Sequence, residues 1–248
     1  MLGRTHAATG WCAGLALAPL LGAHTLAQAV VVATVTAGSA LIPDLDHPVS
    51  RASRLIAPVT GLLSTAVRWT SGAVYQLTKG PADEDVAGVH RHLTHTVVFA
   101  ALLGWWTTWW VSVTGPWAAV TALAIAVLLA VDALGDWLVL VVIGVALLWV
   151  GRGDPLAELA GITEWLGIAI GVGCVVHCLG DALTLSGCPF LWPIPIAGET
   201  WYELRPPRLL RFRTGGGFEL WVVWPLCVAG GVLLLPGAWP LVVGLTGG

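Results

Sequence analysis

The chain has 248 residues, of which 57% are apolar and only 10% are Asp, Glu, Lys or Arg, with a formal net charge of −3. A soluble domain carries about 25% charged residues, so 11 basic and 14 acidic side chains are too few to cover a soluble surface of this size, and a mean hydropathy of +0.85 excludes intrinsic disorder. The slight negative balance offers no bulk attraction to nucleic acid, and no nucleic-acid partner is expected; the composition fits an all-α polytopic membrane protein with room for about six or seven spans of about 20 residues each.

Residues 5–43 contain no Asp, Glu, Lys or Arg. That run is too long for one span and fits a tight hairpin, with span 1 near 7–23, broken by Pro19 and Gly22, and span 2 near 25–42. A signal peptide cleaved after Ala29 is the rival reading, opposed by the apolar run continuing past that site. Residues 49–89 are the one long polar stretch. Between Val49 and Gln76, Arg51, Arg54 and Arg68 stand among Leu55, Ile56, Leu62, Leu63, Val67 and Trp69, which predicts a short amphipathic helix pair in the membrane interface, interrupted by Pro58, with Lys79 to Asp85 as a loop.

Residues 97–131 are again free of charged side chains, and Gly115-Pro116 divides them into span 3 (97–114) and span 4 (116–133). Asp132, Gly135 and Asp136 predict a turn, span 5 runs from Trp137 to Val150, Gly151 to Pro155 is a polar turn, and span 6 covers about 162–181. Residues 186–217, rich in Pro, Gly and Arg, predict a basic loop, and span 7 begins near Phe218 and ends before Pro236. With alternating spans, every Lys and Arg except Arg152 falls on the side of the N-terminus, which makes that side cytoplasmic by the positive-inside rule. Trp105, Trp106, Trp109, Trp110 and Trp117 gather at the opposite end of spans 3 and 4, as an interfacial aromatic belt does. The whole chain, 1–248, is read as a single membrane-embedded domain in the cell (inner) membrane.

Five cysteines at irregular spacing form no zinc-ribbon or redox motif. The histidines are more informative. His6 opens span 1, Pro43-Asp44-Leu45-Asp46-His47-Pro48 closes span 2, His90-Arg91-His92-Leu93-Thr94-His95-Thr96 opens span 3 and His177-Cys178-Leu179-Gly180-Asp181 closes span 6. These segments lie far apart in sequence, yet a topology drawn from apolar runs alone gathers them at one depth on one face. His177 and Asp181, at i and i+4, share a helix face with Cβ atoms about 6 Å apart and can reach one ion. Imidazole with carboxylate suits zinc, manganese or iron. The flanking prolines predict an extended bend in which Asp44 and Asp46 point the same way. Thr94 is the expected N-cap of span 3, with His92 and His95 on one helix face and His90 reaching in from the loop. His24, in the opposite turn, receives no role. Asp132 and Asp136 have the same i, i+4 spacing but no histidine beside them, and are read as a turn.

These four segments resemble the YdjM-like family of LexA-regulated, inner-membrane, predicted metal-dependent hydrolases. The resemblance runs from about residue 3 to residue 219, and Leu191-Trp192-Pro193 and Glu219 also fit its pattern. His92 stands where the family usually has a small or other residue, which favours His90 and His95 as ligands. The family is in turn distantly similar to zinc-dependent phospholipases C and related single-strand nucleases, helical proteins in which His, Asp and Glu hold a cluster of zinc ions. The resemblance therefore implies phosphoester chemistry.

The expectation is a membrane-bound metal-dependent hydrolase acting on a phosphoester or pyrophosphate of a lipid-like substrate. One to three divalent ions, zinc by preference with manganese or iron as alternatives, would be held by His6, Asp44, Asp46, His47, His90, His95, His177 and Asp181. Asp46 would orient the attacking water and Arg91 would stabilise a phosphate oxygen. Partners would be the bilayer and the substrate. The alternative is a membrane metal-binding protein without hydrolysis: a transporter, a sensor or a structural site.

Overall fold

The computed structural model describes residues 1–56, 58–151 and 155–238, apart from the side chains of 155–159. The polar turn containing Arg152 therefore lies outside the described residues. The chain is mostly helical, and no strand is formed among the described residues. The helices are α1 (Gly3–Leu17), α2 (Leu26–Ser39), α3 (Arg51–Arg54), α4 (Val59–Thr78), α5 (Val97–Thr114), α6 (Pro116–Leu134), α7 (Trp137–Gly151), α8 (Pro155–Ala182) and α9 (Trp224–Leu233).

Among the described residues, four stretches are long and apolar enough to cross a membrane: Leu26–Asp46, Val97–Thr114, Pro116–Leu134 and Ala160–Ala182. Trp137–Gly151 and Glu219–Leu233 are shorter apolar helices. The expected first span begins earlier than its apolar run, at Gly3, and its helix stops at Leu17, with a 3-10 turn over Ala18–Leu21. His6 is thus inside the first helix, not ahead of it. Two helices, α3 and α4, form in the stretch read as a helix pair, and α4 leaves Leu62 and Trp69 71% and 75% exposed.

The sequence of α2 explains its place at the centre. Its Ala, Val, Thr and Gly side chains present no polar face, and a helix that is apolar all round must be enclosed. It is enclosed by α1, α6 and α8. A capping box starts it, with Thr25 accepting from the Gln28 amide and the Gln28 side chain reaching back to the Thr25 N–H. Glycines set the closeness of the packing. A Cβ on Gly38 would stand 1.9 Å from the Ala126 carbonyl oxygen of α6. Between α5 and α8, a Cβ on Gly104 would meet the Gly167 carbonyl oxygen at 2.7 Å. Small residues bring helix backbones together in this way where lipid supplies no hydrophobic drive between helices. The outer faces of α5, α6 and α7 expose Leu102, Trp105, Ile125, Leu140, Leu147 and other large apolar side chains, a surface that suits lipid and not water.

Gly115, at φ 78°, ends α5, and Pro116 occupies the first turn of α6, so this division falls where the Gly-Pro pair predicts it. One local expectation is corrected. The N-cap of α5 is Thr96, whose Oγ1 accepts from the Phe99 N–H at 3.1 Å. Thr94 is otherwise engaged, as its contacts below make plain.

Candidate metal centre

The ends of α2 and α8, the 3-10 turn Pro43–Asp46, the 3-10 turn Leu93–His95 and the first turns of α1 converge. The prolines do not hold Asp44 and Asp46 in an extended bend; residues 43–46 form a 3-10 turn that sends the two carboxylates to different partners. Asp44 Oδ1 lies 3.8 Å from His177 Nε2. Asp46 is wholly buried and faces the 90–95 segment.

The hydrogen bonds of this cluster assign most of its protons. His177 Nδ1 lies 2.7 Å from the Ala40 carbonyl oxygen, which only accepts, so Nδ1 carries the proton and Nε2 presents a lone pair. Thr94 donates its hydroxyl hydrogen to Asp46 Oδ2 at 2.8 Å. The same Thr94 oxygen, 3.0 Å from His95 Nδ1, is then an acceptor, and His95 Nδ1 is the donor. His95 Nε2 is therefore also a lone pair in the neutral ring, and it faces His177 Nε2 at 3.2 Å. Two lone pairs at that separation repel unless a cation lies between them. Burial works against charge on His95, yet the nearby Asp46 and Asp181 carboxylates carry its imidazole well above its ordinary value. The site calls for positive charge at this point.

A metal ion fits the donor set. Two imidazole nitrogens on one tetrahedral zinc, at ~2.0–2.1 Å each, stand about 3.3 Å apart. His6, His177 and Asp181 place ligand atoms within 4.8 Å of one another, as do Asp44, His95 and His177. Asp181 Oδ1 is 3.1 Å from His6 Nε2. Its Oδ2 lies 3.6 Å from His95 Nε2 and 3.8 Å from His177 Nε2. Buried polar atoms remain without a hydrogen-bond partner here: Oδ2 of Asp181 and Nδ1 of His6. Arg91 Nη2 comes to 3.1 Å of that Oδ2, at ion-pair distance but out of hydrogen-bond alignment. The amino group of Met1 also touches Asp181 Oδ1.

Asp46 stands behind this set. It accepts from the Arg91 N–H at 2.8 Å, from Thr94, and from His90 Nδ1 at 2.7 Å, an arrangement that orients histidines more than it ligates. Its bond to the Arg91 amide holds Arg91 at φ 57°, a left-handed conformation that L-residues avoid, and turns the guanidinium toward Asp181. His90 and His47 lie at the outer edge, their rings 4.7 Å apart. His92 turns away: its Nδ1 bonds to the His90 carbonyl, and its ring packs on Tyr75 and Trp201. Asp132 pairs with Arg51, away from the cluster. Thr184 bonds to the Asp181 carbonyl at 2.7 Å and closes α8.

Some participants carry no direct sequence signal. The Ala40 carbonyl fixes the His177 tautomer, and Cys188 Sγ lies 3.0 Å from the His95 carbonyl. Glu219, fully buried at the head of the π-helical turn before α9, accepts from the Leu2 and Gly215 N–H groups at 2.7 Å each and so fastens the start of the helix that carries His6. Only its fit to the family pattern marks it in the sequence.

A sequence model of the YdjM inner membrane protein family matches residues 1–237. No curated protein and no solved structure matches the chain.

Proposed function

The chain belongs to the YdjM inner membrane protein family, and we propose that it is a metal-dependent hydrolase of phosphoesters or pyrophosphates carried by lipid-like molecules. The observation that carries this reading is the pair of facing imidazole nitrogens, Nε2 of His95 and Nε2 of His177, 3.2 Å apart and flanked by Asp181 and Asp44. His6, Asp44, His95, His177 and Asp181 would hold the ion or ions, with His90 and His47 at the outer edge available to a further one.

A divalent ion bound there supplies Lewis-acid polarisation of a phosphoryl oxygen and lowers the pKa of water toward neutrality. The chain's own residues do the rest. Asp46 is saturated by three donors and holds His90, Arg91 and Thr94 in place. Asp44, partly exposed, is the carboxylate free to take a proton from the attacking water. The Arg91 guanidinium, partly open to solvent, is positioned to receive an equatorial phosphate oxygen. We further propose that α1, α7 and the Glu219–Leu233 helix join the longer apolar stretches in a seven-span bundle, with the site on the cytoplasmic face, as the basic bias of the connections requires.

The test is metal analysis of the detergent-purified protein, followed by assays on phospholipids and lipid pyrophosphates. Stoichiometric zinc, manganese or iron, with phosphoester hydrolysis that chelation abolishes and metal restores, is the expected result. Bound metal with no hydrolysis of any member of the panel would replace this reading with a non-catalytic metal site.

A further inference from the structure

A cleft of about 590 Å³ opens beside the metal centre, between the loop after α4 and the 199–211 segment. His90 belongs to both places: it lines the cleft, and its Nδ1 bonds to Asp46 at the back of the cluster. Tyr75, His92 and Trp201 form a floor of mutually packed rings. Its lining carries both signs of charge: Arg205, Arg208 and Arg211, with Asp83, Glu84, Glu199 and Glu203.

Many of the cleft's charges are already committed. Asp83 accepts from the Gly80 and Trp201 amides. Arg205 contacts Glu203 and donates to the Ser186 carbonyl. Arg211 uses Nε on the Pro206 carbonyl and keeps its terminal nitrogens. Arg208, Glu84 and Glu199 have no side-chain partner among the described residues. Beside the arginines, Leu209 and Leu210 are 99% and 63% exposed. Apolar side chains set between guanidinium groups, near an amphipathic helix with an exposed apolar face, suit a bilayer surface and not water.

From these groups we infer that the cleft takes the headgroup of a phospholipid whose phosphate carries an ammonium group, with the phosphate on Arg208 and Arg211 and the ammonium on Glu84 and Glu199. The inference rests on the phosphoesterase reading above and names the substrate class for it. His90, which lines the same cleft and bonds to Asp46, joins it to the proposed ion site. The aqueous alternative, a free phosphate or phosphate ester, offers the same anion but neither an acyl anchor nor an ammonium for Glu84 and Glu199.

Titration calorimetry on the detergent-solubilised full chain, loaded with zinc, tests it with dihexanoyl phosphatidylethanolamine, dihexanoyl phosphatidic acid, glycerol 3-phosphate and inorganic phosphate. The expected result is tightest binding of phosphatidylethanolamine. Arg208→Ala with Arg211→Ala weakens it about tenfold or more, the scale of a lost charge-assisted hydrogen bond. Glu199→Gln weakens phosphatidylethanolamine and strengthens phosphatidic acid. Arg213→Ala, in the same basic loop but outside the cleft, changes nothing. Asp181→Asn, which disables the proposed metal site, leaves headgroup binding within about twofold. Wild-type binding by the double arginine variant overturns the assignment, as does equally tight binding of glycerol 3-phosphate or inorganic phosphate, or loss of headgroup binding in Asp181→Asn. Headgroup binding in a protein that hydrolyses no lipid supports the cleft and ends the hydrolase reading alone.

Discussion

His95 Nε2 and His177 Nε2 face each other at 3.2 Å, and the far nitrogen of each ring is already committed as a donor, to Thr94 and to the Ala40 carbonyl. Neither ring can supply the proton that would make this contact a hydrogen bond unless one of them is charged. The contact therefore calls for positive charge, on His95 itself or on an ion between the rings, and Asp181, Asp44 and Asp46 stand where they balance it.

The Asp181 carboxylate is the test of that account. Asp181→Asn keeps the shape of the side chain and removes the charge an ion requires. Metal content by mass spectrometry should fall at least several-fold, and any hydrolysis should fall with it, while expression and membrane insertion stay near wild type. His177→Ala should behave alike, and His24→Ala should change neither. Full metal occupancy in Asp181→Asn would remove Asp181 from the site.

Asp46 should behave differently from Asp181. It touches the Arg91 amide, Thr94 and His90, and acts on the ion through the orientation of His95. Asp46→Asn should weaken metal affinity by about 10–100-fold, the scale of a lost orienting carboxylate, and zinc in excess should restore occupancy. If zinc in excess cannot restore it, Asp46 is a direct ligand.

Much of the architecture could be read from the sequence, because the bilayer imposes it. The bounds of α5 follow from an uncharged run ended by Gly115-Pro116, and the convergence of His6, Asp44, His95, His177 and Asp181 follows from where the apolar runs stop. Local turn geometry could not be read in the same way. Whether Pro43 to Asp46 is extended or a 3-10 turn depends on burial of Asp46 against residues some 45 positions away. Thr94 and Thr96 are equally good caps by type, and the choice falls to Thr96 because Asp46 takes the Thr94 hydroxyl. The cleft unites the loop after α4 with the 199–211 segment, and no periodicity connects those stretches.

The topology is checked with cysteines placed in exposed turns. His24→Cys and Glu84→Cys lie on opposite sides of the proposed bundle and are both exposed. A membrane-impermeant maleimide applied to intact cells should label position 24 and spare position 84 until the membrane is opened. The reverse pattern would put the metal site outside the cytoplasm.

Helix packing at α2 gives the last prediction, which is independent of any ligand. Gly38 sits where α2 crosses α6, and a Cβ there would stand 1.9 Å from the Ala126 carbonyl oxygen and 2.6 Å from its carbon. Backbone atoms cannot rotate aside as a flexible side chain does, so the helices must separate. Overpacking of this kind costs about 1–3 kcal/mol. The displacement would also reach the site, because α2 ends at Ser39 and Ala40, and the Ala40 carbonyl fixes the His177 tautomer. Gly38→Leu should lower the thermal midpoint in detergent and loosen metal binding together. Gly61→Leu, at a site on α4 with no heavy atom within 4 Å of the added Cβ, should leave both unchanged. A Gly38→Leu protein with wild-type melting and wild-type metal content would show that α2 and α6 do not meet as described.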